Sequence, residues 1–167
     1  MNLKDIPAAA VDESNIAAHG DTLLSEEGRR DYWAPGFQDR SRVWVCDPLD
    51  GTWLHAAGRP GCRFSLALAH HGVPQLAVVI DPHTDVRTEA VRDRGAKSIS
   101  GGYEQRLRVS GQHRLIGACI ALTGGDTDLI DMAGMHHDLV GTYTADVVSC
   151  GSAVGDALDV ATGFAAG

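Results

Sequence analysis

Short hydrophobic runs separated by turn residues occupy the chain between residues 43 and 109. They predict β-strands at Val43–Cys46, Phe64–Ala69, Gln75–Ile80, Val86–Val91 and Arg106–Val109. The first strand is expected to end at Asp47-Pro48, because proline cannot donate a hydrogen bond to a sheet, and Asp50-Gly51 then predicts a turn. Residues 70–74 predict the hairpin turn between the second and third strands. The pattern indicates an antiparallel sheet.

Strands alternate with helices after about residue 114. Strands are predicted at Leu115–Leu122 and Tyr143–Val148, and Asp126 and Ser152 are predicted helix N-caps. Gly163 is expected to end the second helix. The apolar face of that helix is predicted to consist of Val154, Ala157, Leu158 and Ala161.

The first forty residues show a weaker pattern, with a helix expected at Ala8–Ala18 and a loop at residues 33–36. Two parts are therefore predicted, an antiparallel-sheet part at residues 1–112 and a smaller α/β part at residues 113–167.

Composition narrows the classes of function. The chain has 167 residues and a net charge of -8, with 14 basic and 22 acidic residues. Without a basic stripe, binding to a nucleic acid polymer is not expected. The aliphatic runs are too short to span a membrane, and no secretory signal is visible, so a cytoplasmic protein is expected. The cysteines are widely spaced and predicted to be buried free thiols: Cys46, Cys62, Cys119 and Cys150.

The segment most suggestive of chemistry is Asp-Pro-Leu-Asp-Gly-Thr at residues 47–52. A sharp turn there can bring two carboxylates, a carbonyl and a hydroxyl into one small space, and oxygen ligands packed so closely favour Mg²⁺. The same residue types also make ordinary turns. A second acidic pair, Glu26-Glu27, follows an apolar dipeptide, and three carboxylates from two segments could hold adjacent metals.

The segment at residues 47–52 resembles the DPxDGT signature of the inositol monophosphatase superfamily of Mg²⁺-dependent phosphatases. Other features follow in the family's order, namely an acidic motif at residues 24–28, a hairpin at residues 65–82 and the Gly151-Ser152-Ala153 segment. The resemblance covers most of residues 23–163. It implies an α+β fold, the layered αβαβα sandwich of the inositol monophosphatase and fructose-1,6-bisphosphatase type. It also implies the hydrolysis of a small phosphate monoester, such as an inositol phosphate, a sugar phosphate or a nucleoside 3′-phosphate.

The resemblance assigns metal ligands to this sequence. Glu26, Asp47 and the Leu49 carbonyl would bind one Mg²⁺, and Asp47 and Asp50 would share a second.

It also assigns the reacting and binding groups. Thr52 with Glu26 would orient and deprotonate the attacking water, so the implied catalytic residues are Glu26, Asp47 and Thr52. The Gly51 and Thr52 amides would hold phosphate oxygens. Gly151, Ser152 and Ala153 would meet the substrate at the start of a helix.

The chain departs from the family pattern at both ends. The family's later Trp-Asp-x-Ala-Ala-Gly motif, whose Asp completes the second metal site, is not found, and only some twenty residues precede the acidic loop. A shortened, incomplete version of the fold is therefore expected, and a homodimer is expected to cover the apolar surface left open. An alternative function stays open, a catalytically impaired relative that binds a phosphate ligand or a partner subunit.

Trp53 and the histidines suggest further hypotheses. Trp53, where family members usually have a small or polar residue, is predicted to pack in the core, although it could instead close the pocket against a planar ligand. Recruitment to different chemistry through Trp53 and His55 is a third possibility. The histidine spacing does not favour zinc, and no motif supports a nucleotide loop or a serine nucleophile.

Overall fold

The computed structural model describes residues 20–25, 42–123, 129–143 and 146–166. These residues form two compact units. The first unit comprises the described residues up to Asp50 together with Arg63–Gln105, and the second comprises Gly51–Cys62 together with the described residues from Arg106 onward. The predicted helix at residues 8–18, the loop at residues 33–36 and the predicted N-cap Asp126 lie outside the described residues.

A seven-stranded mixed sheet forms the first unit, and its strands are adjacent in chain order. The strands are β1 Thr22–Ser25, β2 Arg42–Asp50, β3 Arg63–His70, β4 Val73–Asp81, β5 Val86–Val91, β6 Gly95–Ser100 and β7 Tyr103–Arg106. β1 is parallel to β2, while β2 to β6 pair antiparallel. His71 and Gly72 both have positive φ in the β3–β4 turn, as a tight hairpin with right-handed strand twist requires. The predicted hairpin and the predicted antiparallel pairing of β2 to β5 are confirmed.

A buried carboxylate fastens the edge strand β1 to β2. The Asp21 side chain is 3% exposed and forms a 3.0 Å ion pair with the Arg42 guanidinium. Its Oδ2 atom also accepts a 2.9 Å hydrogen bond from Trp44 Nε1. Because a buried charge is stable only when paired and hydrogen-bonded, these contacts fix the position of β1. The last register pair of the two strands is Ser25 with Cys46.

The second unit contains three helices and a two-stranded parallel sheet within the described residues. Its elements are α1 Thr52–Ala56, β8 Cys119–Ala121, α2 Leu129–Tyr143, β9 Asp146–Val148 and α3 Ala153–Ala161. Its buried apolar side chains are Leu54, Cys62, Ala118 and Ala165. Ser152 caps α3 as predicted, because its Oγ accepts a 2.9 Å hydrogen bond from the Gly155 amide.

Two predicted strand boundaries in or next to the first unit are wrong. β2 does not stop at Asp47 but continues through Pro48 to Asp50. The register with β3 shifts between Asp47 and Asp50, and this irregularity accommodates a proline that cannot donate to the ladder. The strand predicted at Arg106–Val109 lies earlier, as β7. β6 was not predicted, because its glycine, lysine and serines give little hydrophobic signal.

Two predicted strands in the second unit are shorter than expected. Leu115 and Ile116 are exposed, and pairing begins only at Cys119. Tyr143 belongs to the end of α2 rather than to the following strand, which begins at Asp146. Hydrophobic residues in these segments suggested strands, but only three positions in each find a partner.

No helix in the described part of the chain is both long and apolar enough to cross a membrane. The domain boundary at residues 112/113 and the homodimer stay predictions.

Candidate metal and phosphate site

The end of β2 carries the acidic signature in the first unit. Asp47 Oδ1 accepts a 3.0 Å hydrogen bond from the Leu49 amide. This short-range bond, spanning Pro48, supports the irregular backbone where the β2–β3 register shifts. Asp47 and Asp50 therefore stand three residues apart at the same end of one strand, with the Leu49 carbonyl between them in the chain.

Neighbouring strands add one cation and one further carboxylate to this end of the sheet. Arg63 of β3 is the register partner of Asp50 and forms a 3.3 Å ion pair with Asp81 of β4. Asp81 Oδ1 also accepts hydrogen bonds from the His83 and Thr84 amides, at 2.8 and 3.2 Å. Sequence analysis placed Asp81 only in the hairpin and missed Arg63. A single arginine preceding an apolar run gave no signal of its position.

Cys46 directly precedes Asp47 but is not a candidate ligand. Burial, reinforced by the negative charge of Asp47, raises the pKa of the Cys46 thiol to about 11. The thiol is therefore neutral near pH 7 and is not a nucleophile there, because attack requires the thiolate. Mg²⁺ prefers oxygen to sulfur, so the donors considered at the end of β2 are oxygen atoms.

Glu26, the third predicted carboxylate, lies outside the described residues. The described strand before it ends at Ser25, whose partner in the parallel register is Cys46. Ser25 and Cys46 are the residues immediately before Glu26 and Asp47 in the sequence.

The donors present agree in type with a hard divalent cation. Asp47, Asp50 and the Leu49 carbonyl offer only oxygen, which Mg²⁺ prefers. Among residues 20–25, 42–123, 129–143 and 146–166, no group of three or more histidine, cysteine, aspartate or glutamate side chains could hold a metal ion. The described part therefore supplies two of the three predicted carboxylates, and the set matches Mg²⁺ in chemistry when Glu26 is added.

In the second unit, the two predicted substrate segments lie against each other. Gly51 has φ 81° and ψ 38°, a left-handed conformation that glycine adopts readily, and α1 begins at the next residue, Thr52. A Cβ added to Gly51 would lie 3.3 Å from the Ser152 Cβ. The structure thus brings Gly51 and Ser152 together, and Ala153 is the first residue of α3.

Asp156 of α3 was missed by sequence analysis, which followed the helix's apolar face. Its side chain accepts hydrogen bonds from the Cys150 amide at 2.7 Å and from Ser149 Oγ at 3.3 Å, and the residue is 2% exposed. These bonds hold the loop that leads into Gly151 and Ser152. An aspartate four residues after a serine N-cap was the available signal.

Trp53 does not pack in the core, so that prediction is wrong. The residue is 57% exposed, whereas Leu54, the next residue of α1, is buried. Trp53 Nε1 donates a 3.0 Å hydrogen bond to the Gly151 carbonyl. Adjacent residues of a helix face different directions, and the inward position is occupied by Leu54, so Trp53 faces outward.

Comparisons with known proteins agree with this fold. The profile of the inositol monophosphatase family matches residues 3–167. The Nus factor SuhB of Pseudomonas aeruginosa is 39% identical over 127 residues, 72% of this chain and 45% of that protein. The histidinol-phosphatase of Mycobacterium tuberculosis is 35% identical over 105 residues, 62% of this chain and 38% of that protein. The structure of Mycobacterium tuberculosis SuhB is similar with a TM-score of 0.74 and 25% identity, over 92% of this chain and 58% of that one.

The fold is of the α+β class seen in structures of the inositol monophosphatase type, as predicted. The chain belongs to the inositol monophosphatase family. It spans less than half the length of the two relatives compared by sequence.

Proposed function

We propose that the protein is a metal-dependent phosphatase that hydrolyses a small phosphate monoester. The observation that carries this proposal is the placement of Asp47 and Asp50 at the same end of β2, in a chain that belongs to the family. The name of one relative, the histidinol-phosphatase, supports phosphatase chemistry on a related chain. An inositol phosphate, a sugar phosphate and a nucleoside 3′-phosphate are the substrate classes proposed.

The proposed metal ligands are Glu26, Asp47, Asp50 and the Leu49 carbonyl. A divalent cation bound there would polarise the phosphoryl oxygen. It would also lower the pKa of a bound water, and so supply the nucleophile that hydrolysis of a phosphate ester lacks near neutral pH. Mg²⁺ is the cation proposed, because the donors are all oxygen. Asp81 is not among the proposed ligands, because its charge is balanced by the ion pair with Arg63.

The chain's own groups bind and orient the reactants in this proposal. Thr52 and Glu26 orient the attacking water, and Glu26 accepts its proton. The Gly51 and Thr52 amides hold phosphate oxygens as the strand turns into α1. Ser152 and its neighbours Gly151 and Ala153 meet the alcohol part of the ester at the start of α3, and the contact of Gly51 with Ser152 supports this arrangement.

Phosphate release from a panel of monoesters tests the proposal. We expect release of inorganic phosphate from at least one ester in the presence of Mg²⁺, complete loss of release with excess EDTA, and full recovery when Mg²⁺ is restored. Release that is unaffected by EDTA contradicts the metal-dependent mechanism. Metal binding by calorimetry without release from any ester contradicts the enzyme and favours the alternative, a relative that binds a phosphate ligand.

A further inference from the structure

An exposed tryptophan lies beside the proposed substrate residues. Trp53 follows Thr52 in α1, and more than half of its surface is exposed although it is the bulkiest side chain of that helix. Its indole N–H is satisfied by the Gly151 carbonyl at 3.0 Å. An indole whose only polar atom is already hydrogen-bonded presents the rest of its surface as an apolar, planar area.

The position of this ring depends on a glycine. A Cβ added to Gly151 would lie 2.6 Å from Trp53 Cζ2 and 3.0 Å from Cε2, so one edge of the indole rests directly on the backbone of Gly151. Gly151 also has φ 80°, a conformation that other residues rarely adopt. The hydrogen bond and this close approach hold the ring in one orientation. A ligand that stacks on the ring therefore binds without the entropy cost of ordering the Trp53 side chain.

The ring adjoins the groups assigned to the substrate. Thr52 precedes it in the chain, Gly151 supports its edge, and Ser152 contacts Gly51. An ester whose phosphate is bound by the Gly51 and Thr52 amides has its alcohol part close to these residues. Trp53, which follows Thr52, offers that part a large exposed aromatic side chain within the second unit.

We propose that Trp53 is a stacking platform for a planar ring in the alcohol part of the substrate. This proposal rests on the proposed function and narrows its substrate to esters with an aromatic leaving part, such as nucleoside phosphates, over cyclitol and sugar phosphates. Aromatic rings stack on tryptophan through dispersion and quadrupole terms that a hydrated, saturated polyol obtains less fully. Trp53 acts here as a specificity residue and takes no part in the bond-breaking step.

Two esters that differ mainly in planarity test the platform. Benzyl phosphate and cyclohexylmethyl phosphate are both esters of primary alcohols of similar size, so a difference between them reports chiefly the flat ring. We expect kcat/KM of the native protein to favour benzyl phosphate about 5- to 10-fold, the discrimination that one aromatic stacking contact supplies. The ratio is expected to fall to about one in Trp53→Leu and to stay above about 3-fold in Trp53→Phe, which keeps a planar face.

The matched control is Tyr103→Leu, which removes another exposed aromatic side chain, on β7 in the first unit. That variant should keep the native ratio. A ratio in Trp53→Leu equal to the native one overturns the platform, as does a native ratio near one. The melting temperature of each variant shows whether it is folded. If Trp53→Leu is not folded, the kcat/KM ratio of the two esters in Trp53→Phe tests the platform instead.

A binding experiment separates failure of this proposal from failure of the proposed function. The phosphatase proposal fails if the native protein releases phosphate from no ester of the panel. If it hydrolyses neither of these two esters, calorimetry with benzylphosphonate and cyclohexylmethylphosphonate tests the platform alone. Tighter binding of benzylphosphonate that disappears in Trp53→Leu supports the platform even without hydrolysis. Equal binding of the two phosphonates, or no binding of either, overturns it.

Discussion

Replacing Asp47 by asparagine is expected to lower kcat for phosphate release by about 10³-fold or more. In the proposed mechanism Asp47 would help to hold a divalent cation, whose Lewis acidity would supply several kcal/mol of transition-state stabilisation, and about 1.4 kcal/mol is worth a factor of ten. The substitution keeps the size of the side chain and retains an oxygen that can accept the hydrogen bond from the Leu49 amide. The loss should therefore appear in activity and metal affinity rather than in stability. Steady-state kinetics across a range of Mg²⁺ concentrations measure it.

The same chemical change at Asp93 is the control. Asp93 also lies in the first unit, but its side chain is 90% exposed in a turn between β5 and β6. Asp93→Asn removes one negative charge without touching the end of β2, and activity within about 2-fold of native is expected, since an exposed ion pair such as that of Asp93 with Arg92 contributes little. Asp47→Asn with native turnover at all Mg²⁺ concentrations contradicts the assignment of Asp47.

Replacing Gly155 by alanine is expected to destabilise the protein by about 1–3 kcal/mol, although alanine normally stabilises a helix relative to glycine. Gly155 lies in the first turn of α3, and an added Cβ would clash with Cys150 Sγ and lie 3.1 Å from Ser152 Oγ. The loop at Ser149–Cys150 cannot simply move away, because Asp156 holds it with two hydrogen bonds. The free energy of unfolding in urea measures the effect.

Gly141→Ala serves as the matched comparison. Gly141 is also in a helix, α2, but nothing lies within 4 Å of an added Cβ. The ordinary gain of about 0.5–1 kcal/mol from replacing glycine in a helix is expected there. Changes of opposite sign in the free energy of unfolding confirm that packing against Cys150 requires glycine at position 155. Stabilisation by both substitutions contradicts that requirement.

The hairpin between β3 and β4 was predictable because short-range pattern determines it. The β3 and β4 runs alternate around a turn whose residues accept positive φ, and both boundaries were found within a residue or two. The continuation of β2 beyond its predicted end depends instead on contacts between distant residues. Pro48 stays in β2 because the pairing with β3 shifts there, which is visible only once both strands are aligned.

The site residues likewise fall into those that local sequence identified and those that it did not. The acidic signature was found from local sequence and its resemblance to a family, and both Asp47 and Asp50 lie at the end of β2. Arg63 acts through a partner 18 positions away, so nothing in its immediate neighbours identified it. Asp156 acts through partners 6 and 7 positions away, and its place after a serine N-cap was the one local signal. Trp53 was wrongly expected to be buried because aromatic residues usually are. Its position follows from Leu54 filling the interior of α1 and from the Gly151 carbonyl nearly 100 residues later.

The most direct measurement is a crystal structure of the protein grown with Mn²⁺, recorded at a wavelength where manganese scatters anomalously. Mn²⁺ shares the octahedral, oxygen-rich coordination of Mg²⁺ and is readily located. The account predicts an anomalous peak at roughly 2.2 Å from carboxylate oxygens of Asp47 and Asp50, with Glu26 in the same coordination shell. Crystals with no manganese at the end of β2, or with Glu26 turned away from Asp47, would contradict it.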